Sequence, residues 1–211
     1  MKPFKKAMLG IAIGATALLG AGIATVQAES QMSAKAEVGL AAPEFKLTTI
    51  DGKAISLSDY KGKTVVLMWF SPKCPFVVKH FADKDNQTFN TMYNDYKDKD
   101  VVFLAINSAK PTHAYGDVAT NKSTIKEWNF QWPVLMDGDG TVGRLYGART
   151  TPEMFVINKD GVIAYHGAID NDGSPKGPGD VNYVRQALDE VLAGETVSNS
   201  ETRPYGCSVK Y

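Results

Sequence analysis

The sequence predicts an α/β sandwich built around a mixed sheet, and three observations lead there. Residues 64–70 and 101–106 are apolar on both faces, as strands in the middle of a sheet covered by helices on two sides must be. Between them Phe89, Met92, Tyr93 and Tyr96 recur at i, i+3, i+4 and i+7, the spacing of one helix face. Further on, strand 154–157 turns through Asn158-Lys159-Asp160-Gly161 into strand 162–166, and an amphipathic helix, 181–193, follows. Helices interleaved with parallel-type strands and then a hairpin give layers of helix, sheet and helix.

The elements follow in order. Residues 1–28 carry Lys2, Lys5 and Lys6, then an uncharged Gly/Ala-rich run, then Val26-Gln27-Ala28, the pattern of a cleaved secretory signal. The rival is an uncleaved membrane anchor, since the run approaches spanning length. Residues 29–42 are a small, polar lead. Residues 43–48 alternate, Asp51-Gly52 is a turn, and 54–57 return as a hairpin strand. A helix is expected to begin at Pro75, where a missing N–H costs nothing, with the polar stretch 83–88 marking an irregularity. Residues 107–122 are expected as a long loop, 123–130 as a short helix capped by Ser123 with Glu127 outside, and 134–136 as a short strand. Asp137-Gly138-Asp139-Gly140 lacks the alternating ligands and final Glu of a calcium loop and reads as a turn into helix 141–146, which Gly147 ends. Gly194 terminates the last helix. The organisation is therefore a signal (1–28), one domain (29–194) and a mobile tail (195–211) carrying Cys207.

Loss of the signal leaves 183 residues, enough for one full core. It also leaves 20 bases against 23 acids, a net charge of −3. No basic stripe marks a nucleic-acid partner, and no stable membrane insertion is expected after cleavage. Export places the chain in the periplasm or outside the cell, where disulfides persist. Two cysteines, Cys74 and Cys207, make one bridge available.

Cys74 follows the apolar strand in Ser71-Pro72-Lys73-Cys74-Pro75. A buried strand that stops there and turns amphipathic is a strand-to-helix junction. It sets a thiol at a helix N-terminus, where unpaired N–H groups and the macrodipole favour negative charge. Lys73 and Lys79 add to that field. The thiolate is the nucleophile, so a partly exposed, reactive Cys74 is expected; the bland alternative is a small buried hydrophobe. His80 is nearly two turns further on, too far for direct contact with Cys74. Trp69, Trp128 and Trp132 read as core aromatics.

Ala42-Pro43-Glu44-Phe45, Gly62-Lys63-Thr64-Val65-Val66, the Cys74 junction and Thr151-Pro152-Glu153-Met154-Phe155-Val156 resemble the thioredoxin superfamily. More narrowly they resemble its redoxin branch, the alkyl hydroperoxide reductase and thiol-specific antioxidant group. Ile106-Asn107-Ser108, Tyr146-Gly147-Ala148, residues 165–170 and Gly206-Cys207-Ser208-Val209-Lys210 are similar to a peroxiredoxin-like subgroup. The resemblance spans residues 38–211. It implies a thioredoxin-like three-layer α/β/α sandwich with a mixed central sheet and an N-terminal hairpin extension. It also makes Cys74 the nucleophile and Pro152 the cis-proline facing it. The backbone at Thr151 would pair with an extended substrate. Ser71 takes the hydroxyl position three before the nucleophile, where it would orient a peroxide.

Two departures stand against the pattern. Val77 replaces the second cysteine of C-x-x-C, and Leu67 replaces the peroxiredoxin proline. Arg149, three residues before Pro152, is the nearest candidate for the peroxiredoxin arginine, with a plain surface cation as the alternative. Cys207 is either a resolving thiol or half of a permanent staple.

The leading expectation is an exported peroxiredoxin-like antioxidant enzyme. Cys74 reduces a hydroperoxide, Cys207 resolves the sulfenic acid, and a thiol reductant protein restores both. The alternative is a thiol–disulfide oxidoreductase acting on protein substrates. The second alternative is a non-enzymatic copper- or partner-binding module. No organic cofactor is implied.

Overall fold

The computed structural model describes residues 35–81 and 87–211. The signal expected in residues 1–28 lies outside the described residues, as does most of the polar stretch after Phe81. The chain runs β1 (Lys46–Thr49), β2 (Ala54–Ser56), a 3-10 turn (Leu57–Tyr60), β3 (Thr64–Trp69), α1 (Pro75–Val78), α2 (Thr88–Tyr96) and β4 (Val101–Asn107). It continues through α3 (Val118–Glu127), β5 (Val134–Met136), α4 (Thr141–Tyr146), β6 (Thr150–Thr151), β7 (Glu153–Ile157), β8 (Ile163–Gly167), α5 (Tyr183–Ala193) and β9 (Cys207–Ser208). Among the described residues no helix is long and apolar enough to cross a membrane.

Seven of the described strands form one mixed sheet, ordered β2-β1-β5-β4-β3-β7-β8. Its centre, β5-β4-β3, is parallel; β7 pairs antiparallel with β3 and β8 antiparallel with β7, and the hairpin β1–β2 extends the other edge through β1 pairing antiparallel with β5. Every residue of β3 is buried, and its side chains alternate between two cores. Val66, Met68 and Phe70 pack with Phe89, Met92 and Tyr96 of α2 and Val184, Ala187 and Leu188 of α5. Val65, Leu67 and Trp69 pack with Val142 and Tyr146 of α4 and with Phe45 and Leu57 from the N-terminal extension. This is the expected α/β/α sandwich, with all three tryptophans buried.

Three elements depart from the sequence reading. The helix after Cys74 is a single turn, because the residues that follow are claimed elsewhere. Lys79 and His80 turn inward to Asp170, and Phe81 enters an aromatic stack with Phe89, Trp128 and Phe130 at 5.1, 4.9 and 5.2 Å. Second, α3 starts at Val118, capped by the Asp117 carboxylate accepting from Thr120 N at 2.7 Å; Ser123 lies inside it. Third, the tail is docked. It bridges β8 near His166, and β9 forms a separate two-stranded sheet with β6. The Asp137 turn leads into α4 as expected, and Gly147 and Gly194 end α4 and α5 in the left-handed conformation.

Candidate active site

Cys74 is the N-cap of α1 and Pro75 its first residue. The Cys74 carbonyl accepts from the Val77 and Val78 amides, each at 2.9 Å. The sulfur does not share those donors: its S–H donates to the Thr151 carbonyl at 2.9 Å. The macrodipole expectation is corrected here, since a one-turn helix sums few peptide dipoles and the side chain points away from its amides. Lys73 is exposed, and Lys79 faces Asp170, so neither lysine fulfils the role expected of it. Cys74 is 0% exposed, against the partial exposure expected. Cys207 of the C-terminal tail lies beside it, and Tyr205 packs against the hydrophobic cluster that includes it.

The Thr151–Pro152 peptide bond is cis, as the resemblance implied. Across from it, Thr151 registers with Cys207 and Thr150 with Ser208, and Val209 N donates to Arg149 O at 3.0 Å. Both cysteines are free thiols, and the Cys207 thiol is hydrogen-bonded to that of Cys74. Burial, that hydrogen bond and the neighbouring Cys74 charge push the Cys207 thiol up to about 12, with Lys210 opposing. Gly206 makes this approach feasible. Its φ is +140°, and a Cβ there would fall 2.0 Å from the Thr151 carbonyl oxygen.

Ser71, three residues before Cys74, is buried. Its hydroxyl and that of Thr151 are buried without a hydrogen-bond partner among the described residues. Both residues line a cavity of about 10 Å³ with Asn107, Ser108 and Ser208, room for roughly one water-sized group. Arg149 is exposed, as the surface-cation alternative expects, while its backbone pairs with the tail. Its amide and that of Thr150 donate to Glu153 Oε2 at 2.8 and 2.9 Å, and His166 Nε2 meets Glu153 Oε1 at 2.8 Å. Burial opposes the Glu153 charge, but these hydrogen bonds outweigh it and hold the carboxyl below its ordinary range.

A second cluster lies beneath α1. The Tyr205 hydroxyl hydrogen-bonds Asp170 Oδ1 and lies 3.4 Å from His80 Nε2. The Lys79 ammonium sits 4.6 Å over the Tyr205 ring and donates to the Asp172 and Ser174 carbonyls at 2.5 and 3.0 Å. Burial lowers Lys79, with Asp170 and Asp172 opposing. Burial and the Asp170 hydrogen bond raise the Tyr205 phenol. Asp170 and Tyr205 were not singled out from sequence, because nothing local marks a contact across 35 positions. Glu153 did leave a signal: a charge opening an otherwise apolar strand. Among the described residues no group of three or more His, Cys, Asp or Glu side chains is arranged to hold a metal.

The sequence profile of the AhpC/TSA family matches residues 38–166. A thiol-disulfide oxidoreductase ResA of Bacillus thuringiensis subsp. konkukian is 33% identical over 129 residues, 61% of this chain and 68% of that protein. The crystal structure of an uncharacterized conserved protein from Geobacillus kaustophilus is 30% identical, with a TM-score of 0.75, covering 83% of this chain and 93% of that one. That of a hypothetical protein of Sinorhizobium meliloti is 26% identical, TM-score 0.74, covering 83% and 94%. The profile match ends before Asp170, Tyr205 and Cys207. The fold, the cis-proline facing a buried thiol and these likenesses converge: the chain belongs to the AhpC/TSA family and is an oxidoreductase of the thioredoxin superfamily.

Proposed function

We propose that the protein is a thiol–disulfide oxidoreductase acting on protein disulfides, with Cys74 as nucleophile and Cys207 as its second thiol. The observation that carries this reading is Cys207, held opposite Thr151 and against Cys74 by the β6–β9 pairing. Val77 removes the usual second thiol, and the tail supplies one from outside the motif. The Cys74 thiolate attacks a substrate disulfide, forming a mixed disulfide and releasing one substrate thiolate, which takes up a proton. Cys207, losing its proton, attacks the Cys74 sulfur; the second substrate thiol leaves and a Cys74–Cys207 disulfide remains. An outside dithiol reductant returns both electrons. The likeness to a thiol-disulfide oxidoreductase ResA supports this class of reaction.

Hydroperoxide reduction is the second reading. The unpartnered Ser71 and Thr151 hydroxyls favour it; Leu67 and the exposed Arg149 weigh against it. The signal-like leader supports export to an oxidising compartment, which the mass of the mature chain tests.

The experiment challenges the reduced protein with a two-cysteine peptide in its disulfide form, and separately with hydroperoxide. A Cys207→Ser variant is expected to accumulate a peptide adduct on Cys74, while the wild type releases peptide dithiol and forms Cys74–Cys207. Absence of any adduct, with rapid peroxide consumption instead, overturns the proposal in favour of the peroxidase.

A further inference from the structure

β6 is two residues long, and among the described residues its ladder partner is β9. A strand edge beside a nucleophile accepts any extended chain that offers backbone donors and acceptors. Here the last residues of the protein fill that edge and seal Cys74 completely. A protein disulfide cannot touch a sulfur with no exposed surface, so the tail must leave before a macromolecular substrate arrives. What it leaves behind is a shaped site: the Thr150–Thr151 edge, a seat that admits only a glycine-like backbone, and the pocket of Tyr205.

Resting on the thiol–disulfide reading, we infer that residues 203–208 are an internal stand-in for the substrate. The Tyr205 pocket is then a subsite for a phenolic side chain two positions before the substrate cysteine. The pocket is built for a phenol. Asp170 accepts its hydroxyl proton, His80 Nε2 lies on the other side of the oxygen, the Lys79 ammonium covers one ring face, and Phe76 approaches the ring at 6.0 Å. Lys79 and Asp170 are each buried to within 1% at the side chain, so an apolar aliphatic replacement would take from Asp170 its hydroxyl donor and from Lys79 the aromatic face it covers. Asp170 is itself pre-set by the Gly179 amide at 2.7 Å and the Asp172 amide at 3.1 Å. The preferred substrate is therefore an extended segment reading aromatic-hydroxyl, small residue, cysteine, as Tyr205-Gly206-Cys207 does.

The test uses full-length Gly206→Ala, whose new Cβ would collide with the Thr151 carbonyl, and full-length Tyr205→Ala as a second route to the same undocking. Far-UV circular dichroism verifies that each core is intact. In the reduced state, Cys74 alkylation by iodoacetamide is expected to rise roughly tenfold or more in both variants, the factor expected when a docked strand loses its net hydrogen bonds. In the same variants, disulfide-capped peptides carrying Tyr-Gly-Cys are expected to form the Cys74 adduct roughly tenfold faster than Ala-Gly-Cys peptides. Unchanged alkylation in both folded variants overturns the tail as cover. Equal rates for the two peptides overturn the phenol subsite. A small unstructured disulfide, dithiodipyridine, is run alongside: its failure to react with exposed Cys74 overturns the thiol–disulfide reading itself, separately from the inference.

Discussion

Acid should weaken this protein through His80, in a window where no other buried group acts in the same way. His80 is fully buried and edge-on to Phe89 at 5.2 Å. Burial lowers its imidazole from 6.5 to about 4; the Asp170 carboxylate, 3.9 Å away, opposes this, Lys79 reinforces it, and Asp172 opposes it more weakly. In the unfolded chain the ring returns to its ordinary value. The folded value is the lower one, so the unfolded state binds more protons between the two. Stability is full above the unfolded value and falls as the pH drops through it towards the folded one. Integration gives a loss of about 2 kcal/mol between about pH 7 and about pH 4.5. Urea unfolding of the reduced protein, followed by tryptophan fluorescence, measures it. The wild type should lose about that much more stability across the window than His80→Gln, which keeps a polar group near Tyr205 without titrating. Glu153 is lowered and Asp137 raised by their surroundings, but both are common to the two proteins and cancel. Parallel losses in wild type and variant would refute the reasoning.

Three further outcomes are expected. Glu153→Ala breaks a buried pair and orphans two backbone amides, so it should cost about 3 kcal/mol in urea; the wild-type contribution is lost as the pH falls through the depressed Glu153 value, so the two proteins should converge in strong acid. Phe81→Ala removes the ring shared by Phe89, Trp128 and Phe130 and should lower stability by about 3–5 kcal/mol, with a changed tryptophan emission as the local check. Oxidation of Cys74 to Cys207 closes a loop of 133 positions, worth about 5 kcal/mol in the chain-entropy model; comparison of oxidised and reduced unfolding midpoints measures it, and Cys207→Ser should abolish the difference.

Much of the frame was legible because local pattern and tertiary role agree. Strands β3 and β4 are apolar on both faces in sequence and covered on both faces in the fold. The ends of α4 and α5 were marked by Gly147 and Gly194, which take the left-handed backbone there. What the sequence hid depends on distant partners. The helix after Cys74 stops after one turn because Asp170 draws in Lys79 and His80 from about 90 positions away. The start of α3 was missed because Asn121 looks like a loop residue. In place, it is fully buried, accepts from the Asn107 amide at 2.9 Å and donates to the Tyr115 and Asp117 carbonyls. Cys74 was marked by its strand-to-helix junction, and the cis bond before Pro152 was implied by the family resemblance. The docking of the tail rests on Tyr205, Gly206 and three separate elements, and no window of sequence contains them together.

The burial of Cys74 and the raised Cys207 thiol together fix an order of events. Cys74 belongs to the hydrophobic cluster that holds Val66, Met68 and Phe70, yet its S–H donates to the Thr151 carbonyl and Cys207 of the docked tail lies beside it. With the tail docked, Cys207 stays protonated, because burial and the adjacent Cys74 both oppose its charge. It can donate a proton but not attack. On the proposed reading, a mixed disulfide on Cys74 removes the hydrogen bond and the charge that raise Cys207; burial, the largest cause, remains, and Lys210 still favours the thiolate. On the proposed reading, this favours attack by Cys207 after Cys74 has reacted. Under the proposed thiol–disulfide reading, Cys207→Ser should capture a substrate disulfide on Cys74, and Cys74→Ser, which removes the neighbouring thiol and its charge, should move alkylation of Cys207 to lower pH than in the reduced wild type.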